Sequence, residues 1–194
     1  MAFLSQEKLA SFGFKHLGRN VLISDKASIY GAINISIGDF SRIDDFCILS
    51  AGEGGIRLGR NVHIACYVSL IGHATIIVED FAGISGKVAV YSSSDNFSGS
   101  ALTGPTVDSR YTDVISKPVS IGRHVVVGAG CIVLPGVTIR EGCAIGALSL
   151  VTRDCDAFGI YIGTPAAFVK ERKRDLLALE QEYLKTSNSL KRVL

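Results

Sequence analysis

A polar segment of 28 residues, from Tyr91 to Pro118, concentrates side chains that can bind a hydrophilic ligand. It reads "YSSSDNFSGSALTGPTVDSRYTDVISKP" and combines hydroxyl, carboxylate and amide groups. These groups donate and accept hydrogen bonds in many directions, which suits a polyhydroxylated ligand. A structureless stretch of this length in a compact domain is usually either functional or disordered, and we predict a functional loop.

Histidine and cysteine supply the other reactive groups, and their spacing argues against several kinds of site. The chain has four histidines and five cysteines, with no CxxC pair and no Cys/His spacing typical of a metal site. We therefore predict no metal. No activated serine or cysteine nucleophile is evident, so direct group transfer is expected rather than a covalent enzyme intermediate. Free thiols agree with a cytoplasmic protein.

Aliphatic residues recur at every sixth position downstream of this segment. An amphipathic helix would repeat at three and four residues, and a half-exposed strand at every second residue. A strict period of six fits very short parallel strands with one inward aliphatic each, and three such strands close a triangular coil of about 18 residues. The pattern predicts a parallel β-helix whose inward residues include Ile121, Val127, Val133, Ile139, Ile145 and Val151.

The same period occurs upstream of the polar segment, in three blocks separated by short slips. The blocks are Ile37, Ile43 and Leu49; Leu58, Ile64 and Leu70; and Val78, Ile84 and Val90. The ends of the chain differ, as the open ends of a solenoid require. Ser5 followed by "QEKL" predicts a capped short helix, and the charged segment from about Val169 to Lys185 predicts a terminal helix.

The overall charge and hydropathy narrow the range of partners. The formal net charge is +2, in a mixed background that offers no dominant basic patch for nucleic acid. No run of 18 apolar residues occurs and the N-terminus has no apolar signal core, so we predict neither a membrane span nor secretion.

Five segments resemble the hexapeptide-repeat acyltransferases, and most of all their galactoside and maltose acetyltransferase branch. They are "ISIGDFSRID", "PVSIGRHVVVGAG", "LPGVTI", "GALSLVTRD" and "GTPAAFVKER". The resemblance implies a left-handed parallel β-helix, assembly as a homotrimer, and acyl transfer from coenzyme A to a hydroxyl or amine. We accordingly expect a cap over residues 1–20, the β-helix over 21–168 with its loop at 91–118, and a helix and tail over 169–194.

The resemblance also implies a coenzyme A site on the later coils. In the family, backbone groups of two small corner turns touch the pantetheine arm, and basic residues near the C-terminus meet the phosphates. The backbone N–H of either Gly128 or Ala129 could stabilise the thioester oxyanion. The corresponding positions are Gly128, Ala129, Gly146, Ala147, Thr152, Arg153, Lys170 and Arg172.

The acceptor side departs from the family pattern. The family's catalytic histidine corresponds to Asp95, and a family aspartate that contacts the acceptor corresponds to His73. His73 is therefore predicted to act as general base, with Asp95 orienting its ring. Two alternatives remain open. His73 could be a structural corner residue, or an amine acceptor could lose its proton to water or to the departing thiolate while Asp95 only holds the amine.

The sugar contacts of the family are also replaced. Alanine stands at two positions where the family has polar residues, which puts galactoside in doubt, and Glu53, Tyr67 and Asn96 are predicted to contact the acceptor instead. The resemblance implies an acetyl-CoA-dependent sugar O- or N-acetyltransferase that uses direct transfer in a ternary complex. Its acceptor would be a sugar, either free or nucleotide-linked, in surface polysaccharide assembly. The alternative is a non-catalytic scaffold.

Overall fold

A computed structural model describes residues 2–190, with side chains to residue 186. The predicted parallel β-helix of hexapeptide repeats is confirmed: three parallel sheets wind into a solenoid of about seven turns. Each full coil contributes one strand to each sheet in succession, so that strands stack directly on their counterparts in the next coil. The first sheet contains β1 (His16–Leu17), β4 (Ile35–Ile37), β7 (Ile56–Leu58), β10 (Ile76–Val78), β15 (Val119–Ile121) and β18 (Thr138–Ile139).

The other two sheets follow the same order along the axis. The second sheet contains β2 (Leu22–Ile23), β5 (Arg42–Ile43), β8 (His63–Ile64), β11 (Gly83–Ile84), β16 (Val126–Val127), β19 (Ala144–Ile145), β21 (Gly159–Gly163) and β22 (Ala166–Glu171). The third sheet contains β3 (Ser28–Tyr30), β6 (Ile48–Ala51), β9 (Ser69–Gly72), β12 (Ala89–Tyr91), β17 (Ile132–Val133) and β20 (Leu150–Val151).

The core is the column of inward aliphatic side chains that the six-residue period predicts. In the second sheet, for example, Ile64 pairs with Ile84, Ile84 with Val127, and Val127 with Ile145. Every residue of the predicted period is buried. Because full burial of one such side chain stabilises the fold by about 1.5–3 kcal/mol, the stacked column is the main stabilising feature of the solenoid.

Three corners connect the sheets, and residues in the left-handed backbone region occur at all of them; at the third corner they are the glycines Gly31, Gly55 and Gly136. The first corner lies between the first and second sheets, the second corner between the second and third, and the third corner leads to the next coil. Left-handed residues at the first corner are Asn20, Phe40, Asn61, Phe81, His124, Gly142 and Phe158. Those at the second corner are Phe46, Tyr67, Lys87, Gly130 and Leu148.

The polar segment leaves the solenoid at the third corner as a two-stranded ribbon. Strands β13 (Ser93–Asp95) and β14 (Val114–Ser116) pair antiparallel, and a short 3-10 turn, Ser109–Tyr111, lies between them. The segment is therefore more regular than a structureless loop. Its alternation was not recognisable in the sequence because each strand has only three residues, most of them polar.

The N-terminal end agrees with the prediction in its helix but not in its boundary. Helix α1 (Gln6–Ser11) begins after Ser5, whose side chain accepts a hydrogen bond from the Lys8 N–H. The first coil, however, starts at β1, inside the segment 1–20 that was expected to be a cap. His16 and Leu17 pair with Ser36 and Ile37, and this cross-coil pairing draws them into the first sheet.

The C-terminal helix starts later than predicted. Residues 166–171 form β22, which folds back antiparallel on β21, and helix α2 (Leu176–Leu190) follows. The charged residues expected to open the helix therefore belong to a hairpin. Of the helix and tail predicted over residues 169–194, the last four, 191–194, lie outside the described residues. Over residues 2–190, no helix is long and apolar enough to cross a bilayer.

Candidate active site

The second corner brings together the four small residues predicted to contact coenzyme A. The Gly128 N–H donates to the carbonyl of Ile145 at 2.8 Å, and a Cβ on Gly128 would lie only 2.5 Å from the Ala147 nitrogen. Gly146 repeats the arrangement one coil later, with its N–H donating to Tyr161. The stacked turns therefore present backbone rather than side chains, as contact with an extended ligand would require.

These hydrogen bonds separate the two proposed oxyanion donors. The Gly128 N–H is already used within the solenoid, so it is not available to a thioester oxygen. No acceptor occurs for the Ala129 N–H among residues 2–190. Ala129 is therefore the better candidate for the donor.

A groove of about 840 Å³ runs between the ribbon and the outer face of the third sheet. It brings the ribbon residue Asp95 and the predicted cofactor residue Thr152 into one site, although 57 positions separate them in the sequence. Most of the wall is apolar, with Lys117 as its cation. The lining residues are Tyr91, Ser93, Ser94, Asp95, Phe97, Ile115, Lys117, Ile132, Leu134, Pro135, Leu150 and Thr152.

Asp95 closes β13 and is held by the ribbon itself. One carboxylate oxygen accepts a hydrogen bond from the Gly104 N–H at 3.3 Å, which orients the carboxylate. The neighbouring Asn96 is tied to the ribbon tip: its amide donates to Asp113 at 2.6 Å and its oxygen accepts from the Ser98 N–H. Contact of Asn96 with the acceptor thus stays a prediction, while its present contacts organise the ribbon.

His73 lies at the third corner, one coil before the ribbon departs. Its Nε2 lies 3.8 Å from a carboxylate oxygen of Glu53, and both side chains are exposed. Its backbone N–H donates to the Ser93 hydroxyl at the base of β13. Across the described part of the chain no hydrogen bond joins His73 to Asp95. Their joint action as base and orienting carboxylate stays a prediction.

The remaining predicted residues fall into separate places. Tyr67 lies at the second corner, across the third sheet from Glu53 and His73, and stacks on Phe46. Thr152 lines the groove, and Arg153 is exposed beside it.

The basic residues near the C-terminus have different surroundings. Lys170 is exposed on β22. Arg172 instead points at the solenoid: its Nη1 donates to the carbonyls of His124, Gly142 and Cys143 at 2.8, 2.9 and 3.2 Å. This guanidinium ties the terminal hairpin to the coils, a role that the sequence did not reveal, so Lys170 is the better candidate for a phosphate contact.

Sequence reasoning missed a cluster of charged groups on the second sheet. Asp44 is buried and accepts hydrogen bonds from Arg42 Nε at 2.6 Å and His63 Nε2 at 2.9 Å. Burial by itself would raise the pKa of Asp44, but these hydrogen bonds from Arg42 and His63 hold it below the ordinary value. The hexapeptide register could have revealed the cluster, because Arg42 and His63 are paired outward positions on adjacent coils.

Four of the five cysteines are buried, and Cys66 is exposed. Burial raises the pKa of Cys47 to about 11 and that of Cys155 to about 12, and it also raises the pKa of Cys131 and Cys143. These four thiols stay protonated near neutral pH, which makes them poor nucleophiles. No group of three His, Cys, Asp or Glu side chains within residues 2–190 could hold a metal ion.

Comparison with known proteins agrees with this geometry. The family model described as bacterial transferase hexapeptide (six repeats) matches residues 118–153. A dTDP-4-amino-4,6-dideoxy-D-glucose acyltransferase of Escherichia coli is 51% identical over 183 residues, which is 94% of this chain and 95% of that protein. A maltose O-acetyltransferase from Clostridium difficile, with 20% identity, a TM-score of 0.58 and coverage of 87% and 75%, supports the fold alone.

Structures of AntD, an N-acyltransferase from Bacillus cereus, are much closer in sequence. The complex of AntD with dTDP and 3-hydroxybutyryl-CoA is 47% identical, with a TM-score of 0.89, and covers 96% of this chain and 98% of AntD. A serine-to-alanine mutant in complex with dTDP-4-amino-4,6-dideoxyglucose and coenzyme A is 46% identical, with a TM-score of 0.91 and coverage of 95% and 98%.

The hexapeptide solenoid with its stacked glycine corners defines a transferase of the hexapeptide-repeat class. The chain belongs to the hexapeptide-repeat acyltransferases, and it is an acyl-CoA-dependent enzyme that acylates a sugar. The predicted family is thereby confirmed, and the scaffold alternative is set aside.

Proposed function

We propose that the enzyme acylates the amino group of a nucleotide-linked 4-amino-4,6-dideoxyhexose, with acyl-CoA as the donor. The observation that carries this proposal is the groove that both Asp95 and Thr152 line. A carboxylate attracts and orients an amine, whereas it is a weak base for a sugar hydroxyl. The relatives support the same choice, because an acyltransferase and an N-acyltransferase named for or bound to such sugars share about half of their residues with this chain.

The chemistry is a direct displacement in a ternary complex. The neutral amine attacks the thioester carbon, an amide C–N bond forms, the C–S bond breaks, and the coenzyme leaves as a thiolate. The amine proton passes to that thiolate or to water, so no protein base is required. Ala129 would donate its N–H to the developing oxyanion, and Asp95 would hold the amine in line.

The distribution of the site residues supports a second copy of the chain in each active site. The cofactor turns and Tyr67 lie at the second corner, while Asp95 and Thr152 line the groove near the third corner, at the opposite edge of the third sheet. A ligand that contacts both sets is best accommodated when the ribbon of one copy reaches the second corner of a neighbour. We therefore retain the homotrimer as part of this proposal, together with a cytoplasmic location and a role in surface polysaccharide assembly.

The test is transfer to dTDP-4-amino-4,6-dideoxyglucose, measured with the wild type and three variants. Asp95→Asn is expected to lower kcat/KM for this acceptor about a hundredfold or more. Asp108→Asn is the matched control, since Asp108 lies in the same loop, caps the 3-10 turn and pairs with the exposed Arg110 rather than lining the groove; it should stay within about twofold.

His73→Ala decides the fate of the proton. Because the partner of His73 is Glu53 rather than Asp95, we expect transfer to the amine to survive within about tenfold. A collapse of kcat with an unchanged KM would instead assign the base to His73. The proposal is wrong if the wild type transfers to hydroxyl acceptors and to no amino sugar.

A further inference from the structure

The second corner changes character along the solenoid axis. Its left-handed positions carry Phe46 and Tyr67 in the early coils, then Lys87, then Gly130 beside the cofactor turns, and last the exposed Leu148, whose side chain lies next to Gly130. Backbone hydrogen bonds between coils keep these positions in line. The N–H groups of Tyr67, Lys87 and Gly130 donate to the backbone carbonyls of Asp45, Cys66 and Gly86, respectively, each at 3.0 Å. One edge of the molecule therefore presents an aromatic surface, a cation and a small-residue surface bordered by Leu148, in that order.

The aromatic pair is arranged as a platform. The rings of Phe46 and Tyr67 stack with centroids 5.0 Å apart and an interplanar angle of 22°, and their residues are 46% and 52% exposed. Lys26 lies over the Phe46 ring at 5.5 Å and pairs with Asp45, so it covers the end of the stack toward the N-terminus. The open end is on the Tyr67 side, which faces the coil that carries Lys87.

Lys87 is the cation that this corner leaves uncommitted. Its side chain is exposed, and in the described part of the chain it forms no ion pair, in contrast to Lys26. Successive strands of a sheet are about 4.8 Å apart, so Tyr67 and Gly130, two coils apart, are separated by about 10 Å, with Lys87 between them. A flat π-system, a diphosphate and a sugar, joined in that order, match this sequence of surfaces.

We propose that the Phe46–Tyr67 platform binds the nucleobase of the acceptor and that Lys87 contacts its diphosphate. This subsite rests on the proposed function. Aromatic side chains bind bases by stacking, and a lysine ammonium pairs with phosphate as a point charge. The arrangement points the sugar toward Ala129 and leaves its amine within reach of the ribbon of a neighbouring copy. The platform thus makes the enzyme specific for a nucleotide-linked sugar rather than a free one.

The test measures the binding of dTDP and of thymidine to the full-length protein by calorimetry. Tyr67→Asn removes the ring and keeps a residue type that tolerates the left-handed backbone. We expect it to weaken the binding of both probes by about fivefold to a hundredfold, the range seen for the loss of one stacked base. Lys87→Asn should weaken the binding of dTDP but not that of thymidine, and it should make the binding of dTDP less sensitive to salt.

The matched control is Phe40→Asn. Phe40 has the same left-handed conformation and is a partly exposed aromatic, but it lies at the first corner. It should leave the affinity for both probes unchanged. Phe46→Asn provides a second variant of the platform if Tyr67→Asn does not fold, and it should weaken both probes in the same way.

The outcomes separate this inference from the proposed function. If the wild type binds dTDP and the platform variants bind it equally well, the subsite is wrong and the proposed function stands. If the wild type binds neither dTDP nor its amino sugar, the proposed function fails, and the subsite fails with it. If Phe40→Asn weakens binding as much as Tyr67→Asn, the effect comes from the fold rather than from the platform, and the inference is overturned.

Discussion

The first and second corners use the same left-handed backbone, yet one is covered and the other is open. At the first corner, Phe81 stacks on His124 at 5.3 Å and meets Tyr183 of α2 edge-on at 6.0 Å. At the second corner, Phe46 and Tyr67 stack on each other, and both remain substantially exposed. An aromatic ladder thus packs against a helix on one edge and faces outward on the other.

Charge follows the same division. The side chain of Glu180 of α2 is 8% exposed at the first corner, where it pairs with Arg123 at 2.5 Å and with His124 at 2.9 Å. At the second corner, Lys87 has no such partner in the described residues. The contrast shows that the repeat itself is neutral with respect to function. A corner stabilises the fold when a terminal element covers it, and it is available to ligands when it is left open.

The largest expected effect is the loss of the charge that anchors α2. Glu180→Ala leaves Arg123 and His124 without their carboxylate, and we expect a loss of about 3 kcal/mol in the free energy of unfolding, measured by urea denaturation. Below the transition, KM for both substrates should remain at the wild-type value. A loss of dTDP affinity without a loss of stability would contradict the division between the corners.

The next effect compares two glycines in equivalent positions. A Cβ on Gly122, at the first corner, would lie 2.7 Å from the Glu141 nitrogen, and one on Gly128, at the second, 2.5 Å from that of Ala147. Both Gly→Ala variants should lose about 1–3 kcal/mol of stability through overpacking. Only Gly128→Ala should also raise KM for acyl-CoA. Equal KM values in the two variants would remove the second corner from the cofactor site.

A smaller effect concerns Asp44 and depends on pH. Its pKa in the folded state is lowered, so the carboxylate stabilises the fold above the ordinary aspartate pKa near 4, and this contribution is lost as the pH falls below that value through the lowered pKa of the folded state. Because its two partners are partly exposed, we expect Asp44→Asn to lose about 1 kcal/mol at pH 6 and clearly less at pH 3. Chemical unfolding at both pH values checks this. A pH-independent difference would assign the effect to packing.

The smallest effect is the removal of one hydroxyl at the first corner. Tyr183→Phe breaks the hydrogen bond from Asn61 Nδ2 to the tyrosine oxygen at 3.2 Å but keeps the ring against Phe81. We expect a loss of about 0.5 kcal/mol in the free energy of unfolding, with unchanged kinetics. A change in KM here would show that α2 communicates with the active site.

Some features could be predicted from the sequence because they depend on neighbouring residues or on a strict period. Every residue that the six-residue period selected between Ile37 and Val151 is buried, since the inward position of each strand must be apolar whatever its coil. Ser5 was identified as a helix cap for a similarly local reason. The start of α2 was predicted too early because charged residues such as Lys170 and Arg172 are compatible with both a solvent-exposed helix and a hairpin.

The candidate site divides in the same way. Gly128, Ala129, Gly146 and Ala147 were recognisable from short motifs within the repeat, and the structure stacks them at one corner. Other features of the site join residues from different coils. Asp95 and Thr152 line the same groove, and His73 lies near Glu53. No periodicity specifies how a polar ribbon folds back on a sheet, because that depends on side-chain contacts across the coils.

By itself, therefore, the sequence determined the solenoid, its core and its family, because a hydrophobic period has one packing solution repeated at every turn. The tertiary structure alone decided which corner α2 covers, where Arg172 is anchored and which residues share the groove. These outcomes depend on contacts between segments far apart in the chain, and such contacts leave no regular spacing in the sequence.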